Sequence, residues 1–137
     1  MTEDSVSALQ QHIESAEESY EYLISYAGRG LDHEQPAGIT KEAVGYLEQL
    51  DAAMEAGLTA ARAIPDEHDL PGADRYRTML ETMATEVDQA REIIKLLSAQ
   101  DAVTSAQVDN MNGMAVFQSV MMKFFFLDEL TAHLLYE

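Results

Sequence analysis

Cysteine is absent from this chain, which removes disulfide scaffolds, zinc–thiolate sites, iron–sulfur clusters and cysteine nucleophiles from consideration. Basic residues are scarce: eight Lys and Arg stand against 25 Asp and Glu, for a net charge of −17. The lysines are Lys41, Lys95 and Lys123 alone. Nucleic acid and anionic membrane surfaces both attract cations, so neither is expected as a direct partner. No apolar run reaches the roughly 20 residues a membrane span needs. The richest, near the carboxyl end, is broken by Asn112, Gln118, Ser119 and Lys123. The opening Met1-Thr2-Glu3-Asp4 is acidic where a secretory signal carries a basic patch and then an apolar stretch. A soluble, cytoplasmic protein is expected.

Catalytic signatures are missing too. There is no Gly-rich phosphate loop, nucleophile elbow or dinucleotide fingerprint. Carboxylate-bridged di-iron sites in bundles need Glu-x-x-His on two helices, and that spacing does not occur. Glu129, His133 and Glu137 fall four apart, but one histidine near a fraying end is a poor metal-binding set. His33 and His68 stand beside acids and read as solvated His–acid pairs. No catalytic residue, metal or cofactor is expected, and the chain reads as a non-enzyme.

What is present is helical periodicity. At 137 residues and 47% apolar composition, the chain has the size and greasiness of one folded domain spanning 1–137. In a first segment Val6, Leu9, Ile13, Ala16, Tyr20, Leu23 and Ala27 recur at steps of three and four, a heptad seam closed by Gly28-Arg29-Gly30. A second segment is expected to open at Thr40 as its cap, with Ile39 and Val44 as a hydrophobic staple, and to stop at Pro65. Its back, Ala52, Ala56, Ala60 and Ala63, is a smooth, uncharged strip and a second candidate surface, though plain helix propensity also explains it. A third segment carries Tyr76, Leu80, Met83, Val87, Ala90, Ile94 and Leu97. The fourth opens on a capping box, Thr104 with Gln107, and a second staple, Val103 with Val108. Unbroken to Tyr136 it would run about 48 Å. Asn110, Asn112 and Gly113 predict a bend or break near Gly113, because glycine weakens a helix interior. The expected fold is all-α: an antiparallel up-down-up-down four-helix bundle with a long fourth helix.

The fourth helix has more apolar circumference than one core can use. Phe117, Val120, Phe124, Leu127, Thr131 and Leu134, widened by Met114, Met121 and Phe125, make the bundle-facing side. Opposite them Met111, Ala115, Ser119, Met122, Phe126, Leu130 and His133 form a second stripe. An ordinary surface helix shows one greasy and one wet face. The surplus stripe is therefore expected to be an interface, most simply that of a two-fold homodimer. Within the bundle-facing side, Asp128 needs a partner: His12 on the first helix is a candidate, and the alternative is that Asp128 reaches solvent or a water at a frayed end or pairs with Arg77 or another cation.

The charge carries two further readings. It is a solvated acidic surface, of the kind suited to a salt-rich cytoplasm, or it mimics nucleic acid and fills the basic groove of an enzyme, as an immunity-type inhibitor would. In the second case Glu14, Glu17, Glu18 and Glu21, one side of the first helix, would meet a basic protein partner. The leading expectation is an acidic adaptor, chaperone or inhibitor acting through protein–protein contact. A helical scaffold holding a small apolar ligand among the methionines and phenylalanines is the alternative.

Overall fold

The structure, a computed structural model, describes residues 3–136, and no strand occurs among them. Five α-helices appear: α1 (Ser5–Ala27), α2 (Ala37–Glu67), α3 (Ala73–Ser98), α4 (Ser105–Asn112) and α5 (Ala115–Thr131), followed by a 3-10 turn (Ala132–Tyr136). The all-α class is as expected, and the segment read as a long fourth helix is two helices, divided at the expected break near Gly113. Around the core α1 packs along α2, α2 along α3, α3 along α5 and α5 on α1, with α4 lying against α1.

The break falls where the glycine stands. The Thr104 hydroxyl accepts from the Gln107 amide (3.1 Å) and the Gln107 side chain accepts from the Thr104 amide (2.9 Å), so the capping box starts α4 as expected. After Gly113 the backbone of Met114 turns extended (ψ 134°), and its carbonyl accepts from Phe117 and Gln118 to begin α5. No side chain caps that start.

Two helix ends differ from expectation, each for a tertiary reason. α2 begins at Ala37, so Thr40 is not a cap; it is buried, and its hydroxyl accepts from the Val103 amide (3.2 Å). At the other end α2 runs through Pro65 to Glu67. A proline has no N–H to give the carbonyl four residues back, here Ala61. The buried Tyr76 hydroxyl of α3 donates to that carbonyl instead (2.7 Å), and burial pushes its pKa up to about 12. A neighbouring helix thus supplies the hydrogen bond that proline withholds. At the end of α1 the left-handed turn is taken by Gly30 (φ +68°), while Gly28 stays in the right-handed region.

The α1–α2 and α3–α4 connections are stitched together by polar groups. The Ser105 hydroxyl donates to the Tyr26 carbonyl (2.7 Å) and accepts from the Leu31 amide (2.9 Å). The Ser105 amide donates to the Leu31 carbonyl (2.9 Å), and the Tyr26 hydroxyl donates to the Val103 carbonyl. Buried backbone groups that no helix can serve therefore find partners here.

Tyr76→Phe leaves the Ala61 carbonyl buried without a donor and is expected to cost about 1–3 kcal/mol in urea unfolding. In a Pro65→Ala background the restored amide can serve that carbonyl, so the same replacement should cost clearly less. Equal costs in both backgrounds would refute this account of how α2 tolerates its proline.

Candidate interaction surface on α5

Phe124 sets the rotation of α5. Its ring lies over α2 at Gly57, where an added Cβ would stand 2.9 Å from ring carbon Cε1. On the α3 side the Lys123 ammonium pairs with the Glu86 carboxylate. Burial works to raise the Glu86 carboxyl, but Lys123 and the Ser119 hydroxyl outweigh it and hold it below its ordinary range. With Phe124 turned inward, residues two positions away lie about 200° around the helix and turn outward. Met122 is 68% exposed and Phe126 54%. Phe125 and Leu130 are also exposed large apolar residues.

Phe126 and Leu130 further border a hollow of about 270 Å³ against α3, lined by Pro71, Gly72, Arg75, Tyr76 and Met79. Arg75 forms no ion pair among the described residues. The face is thus a ridge of Met122 and Phe126 beside a shallow apolar cleft.

The expected stripe is realised in part. Met122, Phe126, Leu130, Ala115 and His133 are exposed, His133 on the terminal 3-10 turn. Met111 is buried at 2% exposure, because it belongs to α4 and the break at Gly113 resets the helical phase. The same reset leaves Met114 exposed, although it was placed on the core side; Phe125, also placed there, is exposed as well. Ser119 is half-buried beside Glu86 and so serves the α3–α5 contact.

The candidate His12–Asp128 pair is not formed: no hydrogen bond or ion pair joins them among the described residues. The His12 Cβ lies 3.7 Å from a Cβ built on Gly57, which puts His12 level with Phe124 rather than with Asp128. Its side chain borders the α1–α2 groove with Ala52, Ala56, Ala60 and Ala63. Asp128 instead feels burial first, then the charges of Glu129 and Glu14, and its carboxyl is raised above the ordinary range. In the acidic row Glu14, Glu18 and Glu21 are exposed and Glu17 is half-buried, with no ion pair to any of them among the described residues.

One cluster lay outside the sequence reading. His68 is not a solvated loop histidine: its Nε2 meets Asp4 Oδ2 at 2.7 Å, and its side chain is 17% exposed. Asp4, Glu67 and His68 bring their ligand-type atoms within 4.8 Å of one another. Every carboxylate oxygen there has a protein partner. Asp4 Oδ1 accepts from the Val6 amide, Glu67 Oε1 from the Ser5 amide and Glu67 Oε2 from the Ser5 hydroxyl. Burial disfavours the Asp4 carboxylate, but the Val6 amide and His68 outweigh it and hold its pKa below the ordinary range. The cluster reads as a clasp between the start of α1 and the end of α2. A contact across 64 residues of sequence leaves no local signal. The Glu129, His133 and Glu137 spacing ends at Glu137, outside the described residues.

Gly57→Ala should destabilise the protein by about 1–3 kcal/mol in chemical denaturation through overpacking. That would overturn the gain of up to about 1 kcal/mol that alanine brings to a helix interior; a stabilised variant would show that Phe124 does not fix α5. For Asp128 the raised pKa means the folded state prefers the protonated carboxyl, so ionisation at neutral pH is a burden. Asp128→Asn is expected to raise the Tm at pH 7, with the advantage fading as pH falls towards 3.8, the ordinary carboxylate value. A lower Tm at pH 7 would contradict this.

Comparison of the chain with protein-family models, with curated proteins and with solved structures finds no match in any of the three.

Proposed function

We propose that this protein acts by binding another protein chain through the outer face of α5, and that the simplest such assembly is a homodimer. The observation that carries the reading is the adjacent exposure of Met122 and Phe126 beside the cleft of Leu130 and Met79. Large apolar residues scattered singly on a surface are ordinary, whereas a contiguous set marks a contact site. Methionine adapts to uneven partners and a phenylalanine entering a pocket is a common anchor. Each Å² of apolar surface removed from water is worth about 25 cal/mol. Ridge and cleft lie side by side on one patch, which is what a two-fold contact uses, since each copy presents the same surface to the other.

The reading is non-enzymatic. The titratable groups drawn together at Asp4, Glu67 and His68 are engaged with one another and with Ser5 and Val6. A small apolar ligand held by the methionines and phenylalanines of α5 is less well supported, because the cleft there, about 270 Å³, falls below the roughly 300–1,000 Å³ of ligand sites; the groove of about 470 Å³ between α1 and α2 is lined by alanines instead. No helix among the described residues is long and apolar enough to cross a membrane. A second reading, an acidic decoy for a basic protein, draws on the exposed Glu14, Glu18 and Glu21, which form no ion pair among the described residues.

Sedimentation equilibrium across a range of KCl concentrations tests the proposal. Wild type is expected to show a reversible dimer, and Phe126→Glu a well-folded monomer with the same far-UV circular dichroism. A wild type that stays monomeric at every salt and protein concentration would rule it out.

A further inference from the structure

Between Asp109 and Asp128 the chain has no acidic residue, although 25 of its 137 residues are Asp or Glu. The exposed ridge of α5 lies within that stretch. Lys123, the one charged side chain there, is neutralised by Glu86 of α3. Two copies meeting through this ridge would set acid-free helix against acid-free helix, with the Arg75 guanidinium of the cleft and Glu129 beside Leu130 as the nearby charges outside any ion pair among the described residues. Everywhere else each copy carries the acids that give it a net charge of −17.

Two forces of different range then oppose each other. Apolar burial acts only at contact and depends little on moderate salt. Repulsion between the remaining charges acts at a distance and is screened by ions, with a Debye length of about 30 Å at 0.01 M and about 8 Å at 0.15 M. A chain of this length has a radius of gyration of about 14 Å, so at low salt the field of one copy spans its mate, and at physiological salt it does not. Building on the proposed function, we infer that the occupant of the α5 face is a second copy of this chain, and that salt drives the pairing. The dimer is weak at low ionic strength and tight at high. A basic protein attracted to the acidic surface has the opposite dependence, since screening removes its attraction.

The test is the dimer dissociation constant of the full chain, measured by sedimentation equilibrium from about 20 to about 300 mM KCl, a range over which screening changes most. The constant is expected to fall at least about tenfold. A triple variant, Glu18→Gln, Glu21→Gln and Glu48→Gln, removes exposed charge from α1 and α2, away from the ridge. It should dimerise more tightly at low salt and respond less to KCl. A wild-type constant that is flat or rises with KCl overturns the inference while leaving dimerisation intact. So does a triple variant with an unchanged salt response, because the effect would then not be charge repulsion. A monomer at every KCl concentration would instead remove the proposed function, and this inference with it.

Discussion

The contact between Phe124 and the bare backbone of Gly57 governs how α5 sits, and much else follows from it. A ring that fills the place of a missing Cβ cannot slide along its neighbour without leaving a void or a clash. That fixes the angle of α5 about its own axis. The Lys123–Glu86 pair secures the flank against α3, where both side chains are largely shielded. Once Phe117, Val120, Phe124 and Leu127 are committed to the core, Met122 and Phe126 have no inward direction left. The exposed ridge is thus a geometric consequence of how well the opposite side is packed.

With few cations to use, the chain ties its helices by varied means. α3 reaches α2 through Arg91, whose guanidinium contacts Asp51 at 2.8 Å and Glu55 at 2.9 Å. The pair with Asp51 is well shielded and oriented, unlike the exposed Arg77 contacts at 3.6 Å, which contribute little. α1 contains no lysine or arginine at all. Its start is held instead by His68 on Asp4 and by Ser5 on Glu67, and its end by Ser105 on the Tyr26 carbonyl. Tyr76 on the Ala61 carbonyl belongs to the same economy. Hydrogen bonds to hydroxyls and backbone do what salt links do in a chain of balanced charge, and they depend less on ionic strength.

What was legible in the residues was local, and what was not depended on contacts far apart in the chain. The heptad seams of α1 and α3 and the Thr104–Gln107 box repeat within a few residues, so periodicity and spacing revealed them. Gly113 was readable as a weak point. Its consequence was harder to see: one extended residue resets the phase of the helix that follows, so a wheel drawn through it misplaced Met111 and Met114. Thr40 and Pro65 look like a start and a stop by local rules, and each is overridden by a distant partner, Val103 in one case and Tyr76 in the other. The Asp4–His68 clasp and the separation of His12 from Asp128 follow from helix register, which side-chain pattern alone does not determine.

The acid count and the acid-free stretch make sense together. A surface charged throughout would keep copies apart at every orientation, and one with an apolar ridge and no net charge would stick indiscriminately. A strongly acidic body with a greasy face in an acid-free stretch favours orientations in which close approach is not opposed by acid against acid at the contact. Specificity then arises less from the strength of the ridge than from the repulsion around it, since every wrong approach brings like charges together. On this reasoning, if Met122 and Phe126 carry the proposed pairing, they need not form a large interface to make it selective. They need only offer apolar ground within an acid-free stretch, where two such charged chains can stand close together.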